Sequence, residues 1–182
     1  MTVLITGGSG GGKSEYAEKC ICARHGENGT APLIYIAAMQ PFGEEARKRI
    51  ERHRRLRAGK GFVTVERYTE LSGLIVPKGA YVLLECLGNL TANEMFAAEQ
   101  ADMGCIERIE RGIDSLAAQC EELFIVTNDV FCDGEEYGAE TDMYMRALAE
   151  INIYAAGIAD TVCEVVCSMP AVIKGDIKCS DH

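Results

Sequence analysis

The feature that most constrains the fold of this chain is a glycine-rich segment near its N-terminus. Residues 7–14 read GGSGGGKS, which fits the pattern G-x-x-x-x-G-K-S/T, and they lie between the apolar run Thr2–Thr6 and a helical pattern. Glycines let such a backbone curl so that its N–H groups converge on phosphate oxygens, and the following helix N-terminus adds the positive end of a dipole. The segment therefore predicts a phosphate-binding loop that comprises Gly7, Gly8, Ser9, Gly10, Gly11, Gly12, Lys13 and Ser14.

The last two residues of this loop carry its chemistry. The lysine of the motif, here Lys13, reaches the β- and γ-phosphates of a nucleoside triphosphate, and the hydroxyl of Ser14 would bind Mg²⁺. An acidic side chain is needed as a second magnesium ligand. Glu85 ends the apolar run YVLL and would lie at the carboxyl edge of the sheet beside the loop, while Asp129 ends another strand. Each of these two acids also fits an ordinary solvated residue at a strand end.

Short apolar runs alternate with longer helical patterns along the chain. The predicted strands are Thr2–Thr6, Leu33–Ala38, Phe62–Arg67, Tyr81–Cys86, Leu123–Thr127, Thr161–Cys167 and Ala171–Lys174. The predicted helices are Lys13–His25, Glu44–Arg57, Cys105–Cys120 and Met143–Ile158. Apolar strands separated by helices favour an α/β fold of the P-loop NTPase type, with a mainly parallel sheet and helices on both faces. At ~150 residues per domain, the 182 residues predict a single nucleotide-binding domain over 1–182.

The charge and the cysteines limit the class of partner. Lys plus Arg number 18 and Asp plus Glu number 28, so the formal net charge is −10, which disfavours nucleic acid and anionic membrane surfaces. No uncharged apolar run reaches the ~18 residues that a membrane span needs. The nine cysteines include no C-x-x-C pair and occur with only three histidines, which predicts reduced thiols and no zinc site. This composition is typical of a cytoplasmic protein.

One predicted helix is strongly basic although the chain as a whole is acidic. Residues 44–60 hold eight basic and three acidic residues, a net charge of +5 within a chain of −10. Such local asymmetry indicates an anion site, and a solvated helix face with i,i+4 ion pairs is the alternative. His53 lies among these cations, which disfavour the imidazolium form, so we expect a neutral imidazole that can attack phosphorus. A structural role for this histidine stays open on these observations alone.

A set of short motifs occurs in the same order as in one known enzyme family. The motifs are Ile5-Thr6-Gly7-Gly8, Tyr35-Ile36-Ala37, Arg49-Ile50 with His53, Thr64-x-Glu66, Leu83-Leu84-Glu85-Cys86, Val126-Thr127-Asn128-Asp129, Asn152 and Pro170–Lys174. On these motifs the chain resembles the bifunctional adenosylcobinamide kinase / adenosylcobinamide-phosphate guanylyltransferase family of cobalamin biosynthesis. The phosphate loop alone is common among ATPases, whereas its combination with R-I-x-x-H and L-L-E-C is far more specific.

The resemblance implies two reactions at one enzyme. The enzyme phosphorylates the aminopropanol hydroxyl of adenosylcobinamide, and it then transfers GMP from GTP to that phosphate through a guanylylated histidine, which would be His53. GTP and ATP are the implied substrates, Mg²⁺ is the implied metal, and the implied assembly is a trimer with the nucleotide near a subunit interface. The residues implied to border the nucleotide are Ile36, Ala37, Ala38, Arg54, Arg55, Leu56, Arg57, Glu66 and Glu85.

The chain departs from the family pattern at several positions. Gly10 and Gly11 stand where the family usually has Arg and Ser, and Phe131 and Cys132 to Glu140 stand where it has glycine and Val-Pro. The usual aromatic-Arg-Asp reads Tyr144-Met145-Arg146, and the usual Asn-Gln pair reads Asn152-Ile153. In the family pattern these positions lie toward the corrinoid side or the subunit contact, so we expect substrate affinity, or one of the two activities, to be altered.

Two other functions compete with this interpretation. The first is a P-loop kinase of another small hydroxylated substrate, in which His53 is only structural. The second is a GTP-dependent switch, which is disfavoured because the guanine-reading pattern N-K-x-D is absent and residues 127–130, TNDV, do not replace it.

Overall fold

The computed structural model describes residues 1–26, 29–98, 101–131 and 137–177. The strands are β1 (Thr2–Thr6), β2 (Leu33–Ala37), β3 (Val63–Glu66), β4 (Tyr81–Glu85), β5 (Glu122–Val126), β6 (Thr161–Val166) and β7 (Met169–Lys174). The helices are α1 (Lys13–Gly26), α2 (Gly43–Arg57), α3 (Leu87–Met95), α4 (Cys105–Gln119) and α5 (Ala139–Ile158), and a 3₁₀ turn covers Leu71–Gly73.

The strands form one sheet in the order β3-β2-β4-β5-β1-β6-β7. Strands β1 to β6 pair in parallel, and only β7 runs antiparallel to its neighbour β6. Successive residues of β1 face opposite sides, since Leu4 packs with α3, α4 and α5 whereas Val3 and Ile5 pack with α1. The prediction of an α/β fold with a mainly parallel sheet and helices on both faces is confirmed.

The parallel arrangement gathers the chemistry at one edge of the sheet. The phosphate loop follows β1, Glu85 is the last residue of β4, and Asp129 lies three residues after β5. Because the carboxyl ends of parallel strands share an edge, these groups converge there, which is the usual ligand-binding edge of such sheets.

Two elements were not predicted from the sequence, and most predicted elements differ by one or two residues at a boundary, with the largest difference at the start of α5. Helix α3 and the 3₁₀ turn have no clear apolar period, and both owe their position to buried contacts of residues such as Leu87, Leu90 and Leu71. Helix α5 begins at Ala139 instead of Met143. Its first turn holds Glu140 and Asp142, which the positive end of the helix dipole favours.

The cysteines differ in one respect from the prediction. Among the residues that the structure describes, six are free thiols: Cys22, Cys86, Cys105, Cys120, Cys163 and Cys167. Cys20 is disulfide-bonded, so the expectation of reduced thiols is wrong for this residue.

Within the described residues, no helix is both long enough and apolar enough to cross a bilayer.

Candidate active site

The phosphate loop is held in shape by its own backbone and by the end of β6. The Gly11 N–H donates to the Gly8 carbonyl at 3.2 Å, and the Ser168 N–H donates to the Gly11 carbonyl at 2.8 Å. Gly7, Gly10 and Gly12 have φ values of 140°, 72° and 95°. Residues with a side chain rarely adopt these φ values, so glycine is needed at these three positions for the backbone to curve around the loop.

Gly7 is the position where a side chain would be least tolerated. A Cβ there would lie 2.4 Å from the carbonyl oxygen of Val165, and that oxygen belongs to the backbone and cannot swing away. We expect Gly7→Ala to lower the free energy of unfolding by about 1–3 kcal/mol, the cost of such strain. The measurement is a urea melt of Gly7→Ala beside Gly8→Ala, where a Cβ meets nothing within 4 Å. Equal stability of the two variants would contradict this account of the loop.

The Lys13 side chain lies over the loop and is only 6% exposed. Its Nζ donates to the Gly8 carbonyl at 2.7 Å, across the concave side of the loop where phosphate oxygens would lie. Burial lowers the pKa of this ammonium, while Cys86, Glu85 and Asp129 act in the opposite direction. Lys13 is therefore a cation already desolvated and aimed at the loop, as phosphate binding requires.

Glu85 connects four elements at the centre of the site. Its carboxylate accepts a hydrogen bond from the Ser14 hydroxyl and another from the Tyr35 hydroxyl at 3.1 Å. The Nδ1 atom of His53 lies 3.7 Å from its Oε1 atom. The Arg57 guanidinium stacks 3.4 Å from the centre of the Tyr35 ring, which secures the tyrosine from the other side.

Helix α2 presents two neighbouring faces to two cavities. One face lines a cavity of about 350 Å³ with four residues that are spaced three or four apart: Arg47, Ile50, Arg54 and Arg57. Arg49, Arg52 and Leu56 line a second cavity of about 250 Å³ whose floor is the phosphate loop. His53 lies between the two faces and lines both cavities, so a nucleotide that spans them would pass this imidazole.

The structure brings together most of the residues proposed from the sequence. The smaller cavity, at the phosphate loop, is lined by Ser9, Gly10 to Gly12, Lys13, Ser14, Leu56 and Glu85. The larger cavity is lined by Ala37, Arg54, Arg57, Glu66 and Glu85. The charges around His53 include Glu85 as well as the cations, and a neutral imidazole stays a prediction.

Some proposed residues do not present a side chain to either cavity. The Ile36 and Ala38 side chains are buried in the core on the α3–α5 face of the sheet. Arg55 lines neither cavity, and its exposed guanidinium lies 4.0 Å from the carboxylate of Glu51.

Several residues of the site were missed by the sequence analysis. Met39, Cys86 and Asn89 line both cavities, and Asn89 belongs to the unpredicted helix α3. Glu18 is fully buried and offers a carboxylate oxygen close to His53 and Glu85. Its i+4 spacing from Ser14 on a predicted helix was the available signal.

The departures from the family pattern divide between the phosphate loop and more distant parts of the structure. Gly10 takes a left-handed φ of 72°, which suits glycine, and Ile153 is 73% exposed on α5. Arg146 pairs with Glu150 at 3.1 Å on the surface.

Asn152 donates to the Asn128 carbonyl at 3.4 Å and accepts from the Thr127 hydroxyl at 2.6 Å, so it supports the segment after β5. Phe131 is partly exposed, Met145 is on α5, and Cys132 to Glu136 lie outside the described residues.

Known proteins are similar to this chain over nearly its whole length, including the residues of the site. A family model described as cobinamide kinase / cobinamide phosphate guanyltransferase matches residues 3–173. The bifunctional adenosylcobalamin biosynthesis protein CobU of Escherichia coli (strain K12) is 33% identical over 144 residues, which cover 71% of this chain and 76% of the relative. The protein of the same name from Salmonella typhimurium (strain LT2) is 32% identical over 190 residues, which cover 96% of this chain and 100% of the relative. The match therefore includes the phosphate loop, α2 and β4.

Proposed function

The chain belongs to the cobinamide kinase / cobinamide phosphate guanyltransferase family, and we propose that it performs both reactions at one nucleotide site, with His53 as the residue that carries GMP. It is an enzyme of adenosylcobalamin biosynthesis that uses GTP or ATP and a cobinamide substrate. The observation that carries the proposal is the position of His53 between the phosphate-loop cavity and the larger cavity.

The two cavities suggest how a triphosphate would lie. The loop N–H groups and Lys13 would hold the β- and γ-phosphates, since they lie at the floor of the smaller cavity. The nucleoside would occupy the larger cavity, where Tyr35, Glu66 and Tyr68 offer aromatic and hydrogen-bonding contacts. This placement brings the α-phosphate to the boundary of the two cavities, beside His53. Arg49 and Arg52 line the loop cavity and would offset the charge that develops on the phosphates.

The surroundings of His53 support a different role for each of its ring nitrogens. Its Nδ1 atom is buried and faces the Glu85 carboxylate at 3.7 Å. This is longer than a hydrogen bond, and such contacts tighten in substrate complexes. Glu85 would then favour the tautomer with the proton on Nδ1, which leaves the lone pair of Nε2 free to attack.

Guanylyl transfer would proceed in two displacements at the same phosphorus. Nε2 attacks the α-phosphorus of GTP, the bond to the bridging oxygen breaks, and pyrophosphate leaves, so that a phosphoramidate joins GMP to His53. A phosphate oxygen of the phosphorylated cobinamide then attacks that phosphorus and displaces the imidazole. In the kinase reaction the cobinamide hydroxyl attacks the γ-phosphorus instead, the bond to the β–γ bridging oxygen breaks, the nucleoside diphosphate leaves and the hydroxyl proton passes to solvent, so this step needs no histidine adduct.

The residues at the loop fit a magnesium ion. The Ser14 hydroxyl and the Glu85 carboxylate are in contact, and both are the hard oxygen ligands that Mg²⁺ prefers. We propose that these two residues hold the ion, directly or through water. Bound there, Mg²⁺ would neutralise charge on the phosphates during transfer.

Glu85→Gln tests this assignment, because it keeps the shape of the side chain and removes its charge. We expect turnover of both reactions to fall by roughly 10–100-fold and the Mg²⁺ concentration for half-maximal rate to rise, as for other altered metal-site residues. The matched control is Asp129→Asn, since Asp129 was the other acid that the sequence offered. If Asp129→Asn raised the Mg²⁺ requirement and Glu85→Gln did not, the ligand would be Asp129.

The assembly, the compartment and the domain organisation extend the proposal. We propose a homotrimer, on the family resemblance and because β7 leaves Met169, Val172 and Ile173 exposed at the sheet edge. A cytoplasmic location and a single domain over residues 1–182 remain our predictions. Light scattering of the purified chain measures the assembly, and a monomer at micromolar concentration would contradict the trimer.

A further inference from the structure

Three side chains from separate elements converge next to Ser14 of the phosphate loop. They are Glu18 of α1, His53 of α2 and Glu85 at the end of β4. Each offers one metal-binding atom, and these three atoms lie within 4.8 Å of one another. Such a spacing allows one ion to be bound by all three after small side-chain movements.

Two atoms of this cluster lack a partner. Oε1 of Glu18 and Nδ1 of His53 are buried and receive no hydrogen bond from any described residue. Glu18 itself is completely buried. A buried polar atom without a partner costs about 1–3 kcal/mol, so two of them beside each other indicate a ligand that supplies the missing contacts.

The chemistry of the cluster selects a class of ion. One imidazole nitrogen and two carboxylate oxygens form a ligand set that suits Zn²⁺ and similar transition ions, whereas Mg²⁺ prefers oxygen ligands throughout. Two cations act on Glu18: the Lys60 Nζ binds its Oε2 at 2.8 Å, and the buried Arg57 guanidinium also interacts electrostatically with this carboxyl. Lys60 is 36% exposed, so it can turn into solvent when an ion binds.

We propose that Glu18, His53 and Glu85 bind a divalent transition ion such as Zn²⁺, and that this ion switches off guanylylation. This transition-ion site shares Glu85 with the proposed magnesium site. The two sites differ because Glu18 and His53 belong only to the first. The inhibition rests on the proposed function of His53, whereas the binding does not. When an ion occupies Nδ1 of a neutral imidazole, the proton resides on Nε2, and Nε2 then has no lone pair with which to attack phosphorus.

Binding is tested by titrating Co²⁺, a spectroscopic substitute for Zn²⁺, into the protein without nucleotide or corrinoid. We expect one ion per chain, with visible absorption bands and no intense near-ultraviolet thiolate band. Glu18→Gln is expected to weaken binding roughly tenfold or more, and Lys60→Gln to strengthen it, because the competing ammonium is gone. Glu94→Gln is the matched control. Like Glu18, Glu94 is buried and paired with a basic side chain, here Arg108, but it lies outside the cluster.

Three outcomes would overturn the site. They are unchanged Co²⁺ affinity in Glu18→Gln, a thiolate band that places the ion on cysteines, or equal weakening in Glu94→Gln. If Glu18→Gln does not fold, Lys60→Gln decides, and affinity no tighter than that of the parent rejects the site.

The inhibition is tested with α-labelled GTP and excess Mg²⁺. We expect added Zn²⁺ to prevent labelling of the parent protein. The Zn²⁺ concentration that prevents labelling should be at least tenfold higher for Glu18→Gln. Label that persists in the parent at saturating Zn²⁺ rejects the switch. Absence of label in metal-stripped parent protein supplied with Mg²⁺ rejects the proposed role of His53 instead, so the two failures are distinguishable.

Discussion

Replacing Lys13 by alanine is expected to abolish both the kinase and the guanylyltransferase reactions. The two reactions share one phosphate loop, and Lys13 is the cation buried against it, 2.7 Å from the Gly8 carbonyl. Loss of one preorganised charge contact to a reacting phosphate costs ~10²–10³-fold in rate, and here the ground-state binding of the triphosphate is lost as well. Steady-state assays of phosphorylation and of GMP transfer measure both effects.

The control for this variant is Lys19→Ala on the same helix. Lys19 is exposed and lines neither of the two cavities, so both activities are expected to match those of the parent. Guanylylation at the parent rate in Lys13→Ala would mean that a second nucleotide site serves GMP transfer, and the single-site proposal would be abandoned.

Replacing His53 by asparagine is expected to separate the two activities. GMP transfer should fall on the order of 10⁶-fold, the scale of removing a covalent nucleophile, because no other described imidazole lines the cavities. Kinase turnover should survive in part, since the cobinamide hydroxyl attacks the γ-phosphorus without an adduct. The measurement is the ratio of the two rates in one preparation.

His25→Asn is the matched histidine control for that experiment. His25 contacts the Ala31 carbonyl at 2.7 Å and the Tyr81 ring, away from both cavities. It should therefore leave the ratio of the two rates unchanged. A parallel loss of both activities in His53→Asn would instead assign a structural role to this histidine.

The parts of the fold that the sequence predicted are those with strong local signals. The segment β1–loop–α1 combines an apolar run, obligatory glycines and a helix start, so its conformation follows from a few residues. Glu85 could be placed beside Ser14 because strand ends of a parallel sheet share one edge. The hydrogen bond between these two side chains agrees with that reasoning.

The parts that escaped prediction depend on contacts between distant segments. Helix α3 reads LGNLTANEM, in which Gly88 and Thr91 disfavour a helix locally, and burial of Leu87 and Leu90 outweighs them. Glu18 reads as a surface acid of α1, yet Lys60 pairs with it in the interior. Burial raises the pKa of its carboxyl and Lys60 acts against that shift, and neither effect is visible without the contact between α1 and the segment that follows α2.

The same reasoning explains why four consecutive residues of α2 divide between three environments. The resemblance treats Arg54 to Arg57 as one nucleotide-binding run. On a helix they point in different directions, so Arg54 and Arg57 line the larger cavity, Leu56 lines the loop cavity, and Arg55 is solvated. Arg57 is also buried against Tyr35, which makes it a support for the Tyr35–Glu85 pair.

Radiolabel from α-labelled GTP in the denatured protein tests the central claim most directly. The account predicts about one GMP per active chain on His53, released by mild acid and stable to base, because a phosphoramidate has this lability and a serine ester does not. The label should be absent from His53→Asn and present in His25→Asn. Label that persists in His53→Asn, or that resists mild acid in the parent, would contradict a guanylylated His53.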